Sequence, residues 1–240
     1  MRYTAHTPLE YFTTLVSEDD GLNLLEAAIS LAQDEHPRLD VQAVLADVDM
    51  LARRLRERLT PETPPAERLQ ALTRFFHGEL GFAGNLNNYY AADNSFVHRV
   101  LETRRGIPIT LAVLLLELAE QAGLRAAGVA FPGHFLVKCR IGLGEVVIDP
   151  FSGDALSAAR LDERLAVYRH GSDLPRDLEL PLEFFLRAAT PRQILARMLR
   201  NLKEVHRAAL DWPRLLAVQQ RLVVLLLLDR TGALTLPGLW

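Results

Sequence analysis

The sequence predicts an α+β fold in which a buried central helix packs on a small antiparallel sheet, flanked by N-terminal helices and a C-terminal helical pair. Between Ile107 and Leu116 only Thr110 is polar, so a helix here is apolar on nearly every side and belongs in a core. Two segments rich in apolar and β-branched residues follow, 134–140 and 145–150, separated by a short linker with two glycines. This order predicts a β-hairpin directly after the buried helix.

The composition is that of a globular protein with one sizeable core, or with a core and a helical appendage. Of its 240 residues, 49% are hydrophobic and 24% are charged, and 27 basic and 30 acidic residues leave a net charge of −3. We therefore expect neither nucleic acid nor an anionic membrane as the principal partner. The single cysteine excludes an intramolecular disulfide, which fits a reducing compartment.

The apolar runs of the sequence are too short for a membrane span. The longest, 107–116 and 222–228, are well below the roughly 18 residues that cross a bilayer. The N-terminus lacks the basic flank and apolar stretch of a signal peptide. We expect a cytoplasmic protein with no membrane partner.

Residues 1–80 are predicted to form a helical region. Thr7, Pro8 and Glu10 make a capping box with proline at the first helical position, so a helix begins there. Three further segments have apolar residues at helical spacing, and prolines separate them. These segments are 23–33, 40–58 and 66–79.

Four arginines crowd the end of the segment 40–58, namely Arg53, Arg54, Arg56 and Arg58. They could bind an anion or an acidic partner. They could also form a solvated face that complements the negative end of the helix dipole. We favour the solvated face.

Residues 81–94 are rich in glycine and asparagine, which predicts an ordered irregular loop, because asparagine side chains bond to nearby backbone. Loops of this kind often line sites. Tyr89 and Tyr90 could stack on a ligand or pack at the edge of the core, and we favour packing. A short helix is predicted over residues 95–102.

Arg104 and Arg105 precede the central helix. Cations beside a helix N-terminus oppose its dipole by up to about 1 kcal/mol, so these arginines need an anionic partner. Glu102 and Asp93 are internal candidates. A bound carboxylate or phosphate, held by the first-turn amides and a guanidinium, is the external candidate. We favour the internal ion pair.

After the hairpin, Ser157 is expected to cap a short helix and residues 170–181 to form a loop. Thr190 is expected to cap the first of two C-terminal helices, 192–209 and 212–228. This pair resembles a single tetratricopeptide unit, and a protein partner could bind through it. The residues that carry the likeness are Leu199, Leu202, Ala208 and Trp212.

His134 and Asp149 form the most informative polar pair. In a hairpin with its turn near residues 141–143 they fall opposite or close to diagonal, so the imidazole can donate one N–H to the carboxylate. An aspartate that orients a histidine is half of an acid–base device. The alternative is that Asp149 only satisfies a buried polar group.

Three segments in order carry a family resemblance, namely NNYYAADNSFVHRVLETRRGIPITLAVLLLELA, FPGHFLVK and VIDPFSG with a trailing LS. Together they resemble the bacterial "SirB-one" group of transglutaminase-like, papain-like proteins over about residues 8–226. The resemblance implies a papain/transglutaminase-like core at 81–170, followed by tetratricopeptide-type helices at 190–228. It also implies a site containing His134 and Asp149. The segment 231–240 departs from the family pattern, because members usually continue with further helices.

The resemblance implies a cysteine nucleophile that this chain lacks. In active relatives that cysteine commonly lies 15 residues before the glycine that ends its helix, and counting back from Gly123 gives Pro108. Ala112 then stands at the family's alanine position. Proline has no side-chain heteroatom that could attack a carbonyl group.

The remaining nucleophile candidates are weak. Cys139 lies five residues after His134, an odd offset that points it to the opposite face of a regular strand. We expect it to be buried and unreactive. Thr110 is the nearest hydroxyl, but a helical threonine can instead bond a carbonyl one turn back.

Two function classes follow. The first is a non-catalytic binding or scaffold protein that keeps the cleft without the thiol. The second is an amide or ester hydrolase in which His134 and Asp149 activate water or the Thr110 hydroxyl. We favour the first. The sequence contains no metal-ligand cluster, phosphate loop or dinucleotide motif, so no cofactor or metal is expected.

Overall fold

The computed structural model describes residues 7–171 and 180–229, and their fold is α+β, as the sequence predicts. The first six helices are α1 (Pro8–Leu15), α2 (Leu24–Ser30), α3 (Val41–Arg56), α4 (Pro65–Thr73), α5 (Val97–Thr103) and α6 (Pro108–Gln121). The strands are β1 (Ala83–Gly84), β2 (Arg105–Gly106), β3 (Ala126–Val129), β4 (Leu136–Ile141), β5 (Gly144–Ile148) and β6 (Ala155–Leu156). The later helices are α7 (Ala158–Gly171), α8 (Leu182–Phe185), α9 (Pro191–Ala208) and α10 (Trp212–Leu227).

The first helix, α1, begins where its capping residues predict. Thr7 Oγ1 accepts a hydrogen bond from the Glu10 amide (3.2 Å), and the Glu10 carboxylate accepts one from the Thr7 amide (2.8 Å). The capping box is therefore confirmed. α2 is shorter than the predicted segment 23–33, because the chain continues as turns after Ser30. α4 runs on into a π-helical turn, Arg74–Glu79.

The central helix α6 has the predicted ends. Pro108 is its first residue, and Gly123 follows it with φ +73°, the left-handed conformation that favours glycine. Ten of its 14 residues are buried, so the helix has no continuous water-facing side. Leu116, expected in the core, is partly exposed because it lies beside Glu117 along a surface cavity. α6 contacts α2, α3, α4, α5, α9, β3 and β4.

A four-stranded antiparallel sheet follows α6 in the order β3–β4–β5–β6. β4 and β5 form the predicted hairpin, in which Val137 lies opposite Ile148 and Ile141 opposite Gly144. Gly142 in the two-residue turn has φ +60°, as such turns require. Continuing this register past the last pair sets Asp149 opposite residue 136.

The two faces of this sheet bury different residues, because successive side chains on a strand alternate. Val137, Cys139 and Ile148 belong to the main core that contains α6. Leu136 and Val147 belong to a smaller core that includes residues of α7 and α8. The hairpin is thus covered on both sides, which holds the ends of its strands in place.

The loop between β1 and α5 is ordered by Asn94, which is 3% exposed. Its side-chain amide donates to the carbonyl oxygens of Asn88 (2.6 Å) and Tyr89 (3.0 Å). The Asn94 carbonyl accepts a hydrogen bond from Ile107, the residue before α6 (3.3 Å). An ordered, asparagine-bonded loop is confirmed, and β1 and β2 pair beside it.

The C-terminal helices form the predicted pair; α9 contacts α2, and α10 contacts α1. Thr190 caps α9 in a second capping box, closed by Gln193. Buried residues of both helices belong to the same hydrophobic cluster as α6. The pair is also tied to the N-terminal helices by charge, because Arg221 donates to Asp34 (2.8 Å) and Arg192 pairs with Asp19.

Two expectations fall partly or wholly outside the described residues. The predicted loop 170–181 is described only at its ends, where residue 171 closes α7, and the segment 231–240 is not described. Across residues 7–171 and 180–229, no helix is both long enough and apolar enough to span a bilayer.

The central helix should limit the stability of the whole fold. Leu114 is 1% exposed, so Leu114→Ala leaves a cavity and should lower the free energy of unfolding by about 2–5 kcal/mol. Leu226 on α10 is 46% exposed, and Leu226→Ala should change it by less than about 0.5 kcal/mol. Urea denaturation measures both variants. Equal stabilities would show that α6 is not the core element.

Candidate functional site

The site is centred on the carboxylate of Asp149, just after β5, whose side chain is 3% exposed. Its Oδ1 accepts hydrogen bonds from His134 Nε2 (2.8 Å) and from the Phe151 amide (3.0 Å). Its Oδ2 accepts from both terminal nitrogens of Arg164 (3.0 Å each). Four donors therefore hold one buried carboxylate, and the predicted contact between His134 and Asp149 is confirmed.

His134 lies on a turn before β4 rather than on the predicted strand. Its amide donates to the Phe131 carbonyl (3.0 Å), and Gly133 beside it has φ +67°. Because Asp149 binds Nε2, the other ring nitrogen, Nδ1, is the one left for a ligand. Nδ1 has no hydrogen-bond partner among the described residues, and it is not a buried atom. The arrangement presents one oriented imidazole nitrogen to solvent.

The surroundings of Asp149 favour its ionised form. Burial raises the pKa of this carboxyl group, but hydrogen bonds from His134, the Phe151 amide and Arg164 outweigh burial, so the pKa lies below its ordinary value. The carboxylate is charged at neutral pH. It can stabilise a positive charge on His134 without taking up the proton itself.

Arg164, on α7, is a site residue that sequence reasoning missed. Its side chain is 39% exposed, and it reaches Asp149 from the covering helix rather than from the hairpin. Nothing in the sequence distinguishes it from neighbouring charged residues of α7. The contact exists only because α7 folds back over the end of β5.

His77 is a second residue that the sequence did not single out. Its Nδ1 lies 2.9 Å from the Phe82 carbonyl oxygen, and its ring leaves no room for a side chain at Gly153. Burial lowers the pKa of His77. The ring sits in the π-helical turn after α4, and π-helical turns are common at functional sites. His77 therefore supports the turn that follows Asp149.

Phe151 links the dyad to the start of the central helix. Its ring centroid is 6.3 Å from that of His134, and the same ring lies directly against Gly84. The Gly84 amide donates to the Phe151 carbonyl (2.9 Å), while the next amide, of Asn85, donates to Gly106 (3.0 Å). Two residues after Gly106 comes Pro108, the first residue of α6. The buried proline thus begins the helix beside the loop that carries Phe151.

Neither alternative nucleophile lies in a reactive environment. Cys139 is 1% exposed in the core face of β4, and burial raises the pKa of its thiol to about 11. Thr110 is fully buried, and its hydroxyl has no hydrogen-bond partner in the described part of the chain, including the carbonyl one turn back. No hydrogen bond between described residues joins Thr110 to His134 or Asp149.

The favoured ion pairs of Arg104 and Arg105 are wrong. Glu102 and Asp93 both bind Arg99, which is close in sequence and on the same helix as Glu102. Arg105 instead donates to the carbonyl oxygens of Gly81 (2.6 Å) and Arg104 (2.9 Å). The Arg104 guanidinium stacks over the Phe82 ring at 4.6 Å.

The expectation that Tyr89 and Tyr90 pack into the core edge is wrong for Tyr90. Tyr90 is 82% exposed and Tyr89 is 42% exposed. Both rings line a cavity of about 320 Å³ between the loop and α9, where Ile107 forms part of the floor. In residues 7–171 and 180–229, no three His, Cys, Asp or Glu side chains are grouped as metal ligands.

A buried helix is followed by an antiparallel hairpin, and a His–Asp pair forms where the two hairpin strands begin and end. This order of elements is that of a transglutaminase-like core. The chain belongs to the transglutaminase-like superfamily, whose family model matches residues 42–200. No solved structure gives a significant match.

Relatives occur in bacteria and in mammals. A UPF0162 protein of Xylella fastidiosa is 35% identical over 209 residues, which are 87% of this chain and 73% of the relative. A UPF0162 protein of Vibrio cholerae is 30% identical over 157 residues, 65% of this chain and 58% of the relative. F-box only protein 21 of Mus musculus is 35% identical over 99 residues, 41% of this chain and 16% of the relative.

Asp149 should make the fold sensitive to acid. Its depressed pKa means that the ionised carboxylate stabilises the fold fully above about pH 5, and that this contribution is lost as pH falls through the folded-state pKa. Asp149→Asn should lower the free energy of unfolding at pH 7 and lessen its decline below about pH 4. The exposed Asp162→Asn is the control. A difference between Asp149→Asn and wild type that does not change with pH would contradict the argument.

Cys139 should be unreactive in the folded protein. With a pKa of about 11, only about one thiol in a thousand is ionised at pH 8, and its burial excludes reagents. A thiol-directed reagent should label it only after denaturation. Ser17→Cys adds an exposed thiol that should react at once in the folded state. Rapid labelling of Cys139 in the folded wild type would overturn this expectation.

Proposed function

We propose that this chain is a pseudoenzyme, a transglutaminase-like protein that acts by binding and not by thiol-dependent acyl transfer. The observation that carries the proposal is the buried Pro108 at the start of α6, the position that a count of 15 residues back from Gly123 assigns to the family's nucleophile. The sequence has one cysteine, and that thiol is buried in β4 with its pKa raised to about 11. Without an ionisable thiol beside His134, a thioester has no atom on which to form.

The proposed ligand site is the surface around His134. Nδ1 of this residue is solvent-accessible and oriented, and the half-exposed Arg164 lies on the other side of the shared carboxylate. Asp149 offsets the charge of Arg164, so this surface presents an imidazole acceptor, His134 Nδ1, and guanidinium donors without a strong net charge. Such a surface suits the carbonyl and amide groups of an extended peptide.

A protein partner is proposed to bind through the C-terminal helices. α10 exposes an apolar stripe at helical spacing, formed by Trp212, Leu216, Val223 and Leu227, which are 43–80% exposed. We assign these helices to the tetratricopeptide-like class and the chain to the "SirB-one" group, as the sequence motifs suggest. We also propose the division into 1–80, 81–170 and 190–228 as functional units.

The second candidate function is amide or ester hydrolysis, which the intact dyad favours. With Nε2 held by Asp149, His134 Nδ1 could take a proton from water while the resulting hydroxide attacks a carbonyl carbon. The Thr110 hydroxyl could replace water, although its burial argues against that route. Either path needs His134, which makes the two functions separable by experiment.

Hydrolysis and amine-incorporation assays separate the candidates. With activated esters, anilide substrates and a labelled amine, wild type should match the buffer rate and the His134→Ala variant. The physical reason is that no nucleophile stands beside the imidazole. A wild-type rate above buffer that disappears in His134→Ala would establish the hydrolase instead. Circular dichroism of both proteins confirms that the comparison is between folded molecules.

Pro108→Cys tests the alignment on which the proposal depends. The first helical position loses no intrahelical N–H bond, so the variant should fold. If the alignment holds, the new thiol lies near His134 and a helix N-terminus, and its thiolate absorbance should titrate well below pH 8. In the double variant with His134→Ala the pKa of this thiol should be higher. If Pro108→Cys folds and the pKa of its new thiol is as high as that of Cys139, the missing-nucleophile argument fails.

A further inference from the structure

A cavity of about 400 Å³ lies between α3 and α5, and it shares no lining residue with the His134–Asp149 pair. Its apolar lining residues are Leu39, Val44, Met50, Leu51 and Leu101. Its polar lining residues are Asp47, Arg54, His98, Glu102 and Arg104. The lining of the cavity thus combines apolar and charged side chains.

Arg104 is the first unusual feature of this lining. Its φ is +60°, a left-handed conformation in which glycine is the ordinary residue at a helix C-terminus. Its guanidinium stacks over Phe82, and its buried Nη1 has no hydrogen-bond partner. Among the described residues no carboxylate lies within 4.0 Å of it. Stacking offsets part of the cost of burial, but a hydrogen-bonding site is left unused.

Arg54 and His98 are two further lining residues that offer hydrogen-bonding groups to a ligand in the cavity. Arg54, in the last turn of α3, is exposed, and its described contact is with the Phe75 ring at 5.5 Å. His98 is 8% exposed, and its Nδ1 is a buried atom with no partner. Burial lowers the pKa of His98, and the neighbouring His36 lowers it further. The ring is therefore neutral at pH 7 and adds an uncharged polar atom to the cavity.

The acidic wall residues form no ion pair with the two arginines. The Glu102 carboxylate is bound by Arg99, which also binds Asp93 and lies outside the cavity wall. Asp47 is exposed on α3 and forms no ion pair with a described residue. The buried Nη1 of Arg104 is therefore free to donate a charge-assisted hydrogen bond to an added anion.

We propose that the cavity between α3 and α5 binds a small amphipathic anion, in which a carboxylate or phosphate group is joined to an apolar body. Arg104 and Arg54 hold the anionic head, and His98 contributes a hydrogen bond. The leucines, Val44 and Met50 cover the apolar body. The predicted anion site near Arg104 is thereby assigned to a cavity, and Arg105, which binds backbone carbonyls, is not part of it.

Amide NMR titrations with four probes test the chemistry. Octanoate and octyl phosphate should bind saturably and shift resonances of α3 and α5, and the tighter of the two identifies the head group. Octanol lacks the charge and should bind at least about tenfold more weakly, because a charge-assisted hydrogen bond contributes about that factor. Inorganic phosphate lacks the apolar body and should also bind weakly. Equal binding of octanol and octanoate, or no saturable shifts in α3 and α5, would overturn the proposal.

Matched arginine variants test the assigned residues. Arg54→Gln should weaken octanoate binding several-fold, whereas Arg53→Gln, the same charge change on the adjacent residue outside the cavity, should leave it unchanged. Arg104→Gly suits the left-handed backbone, so it should fold and weaken binding by about tenfold or more. If Arg104→Gly binds octanoate as wild type does, or Arg53→Gln and Arg54→Gln weaken it equally, the assignment is wrong. His134→Ala should bind octanoate normally, which separates this site from the proposed surface around His134.

Discussion

The burial of α6 is the constraint on which the rest of the structure depends. A helix with ten buried residues out of 14 must be covered on all sides, and α2, α3, α4, α5, α9 and two strands of the sheet supply that cover. The helix in turn sets where the site lies. Its first residue follows β2, which pairs with β1, and the backbone of β1 is bonded to Phe151 beside His134. The packing of α6 in the core therefore also determines the geometry of the site.

Among the polar groups, Asp149 is the residue that holds separate segments of the chain together. One carboxylate joins the turn before β4, the chain after β5 and the covering helix α7, because its three partners come from these separate segments. The presence of Arg164 distinguishes this arrangement from a simple acid–base dyad. The guanidinium offsets the negative charge that would otherwise act on His134 alone. The pair is well built for holding an imidazole in one orientation, whether that imidazole binds a ligand or moves a proton.

The parts that sequence reasoning predicted depend on local or periodic signals. The capping box at Thr7, the cap at Thr190, the proline and glycine that bound α6, and the hairpin that brings Asp149 near His134 are all encoded within short stretches. The parts it missed depend on distant contacts. Arg164 reaches the site only because α7 folds back over the end of β5. Glu102 and Asp93, the predicted partners of Arg104, are instead bound by Arg99. Charge alone does not predict which of several nearby arginines forms an ion pair with a given carboxylate.

The ion pairs between the two ends of the chain have a consequence for how the protein is made. Asp34 pairs with Arg221, which lies 187 residues later in the chain. Asp19 pairs with Arg192, which lies 173 residues later. Contacts of such high sequence separation close late, because the entropy of a long loop must be lost first. During synthesis the N-terminal helices would therefore leave the ribosome with acidic groups unpaired and an apolar surface uncovered. Completion of the fold must await α10, so a ribosome paused before that helix would hold an unfinished core that a chaperone could recognise.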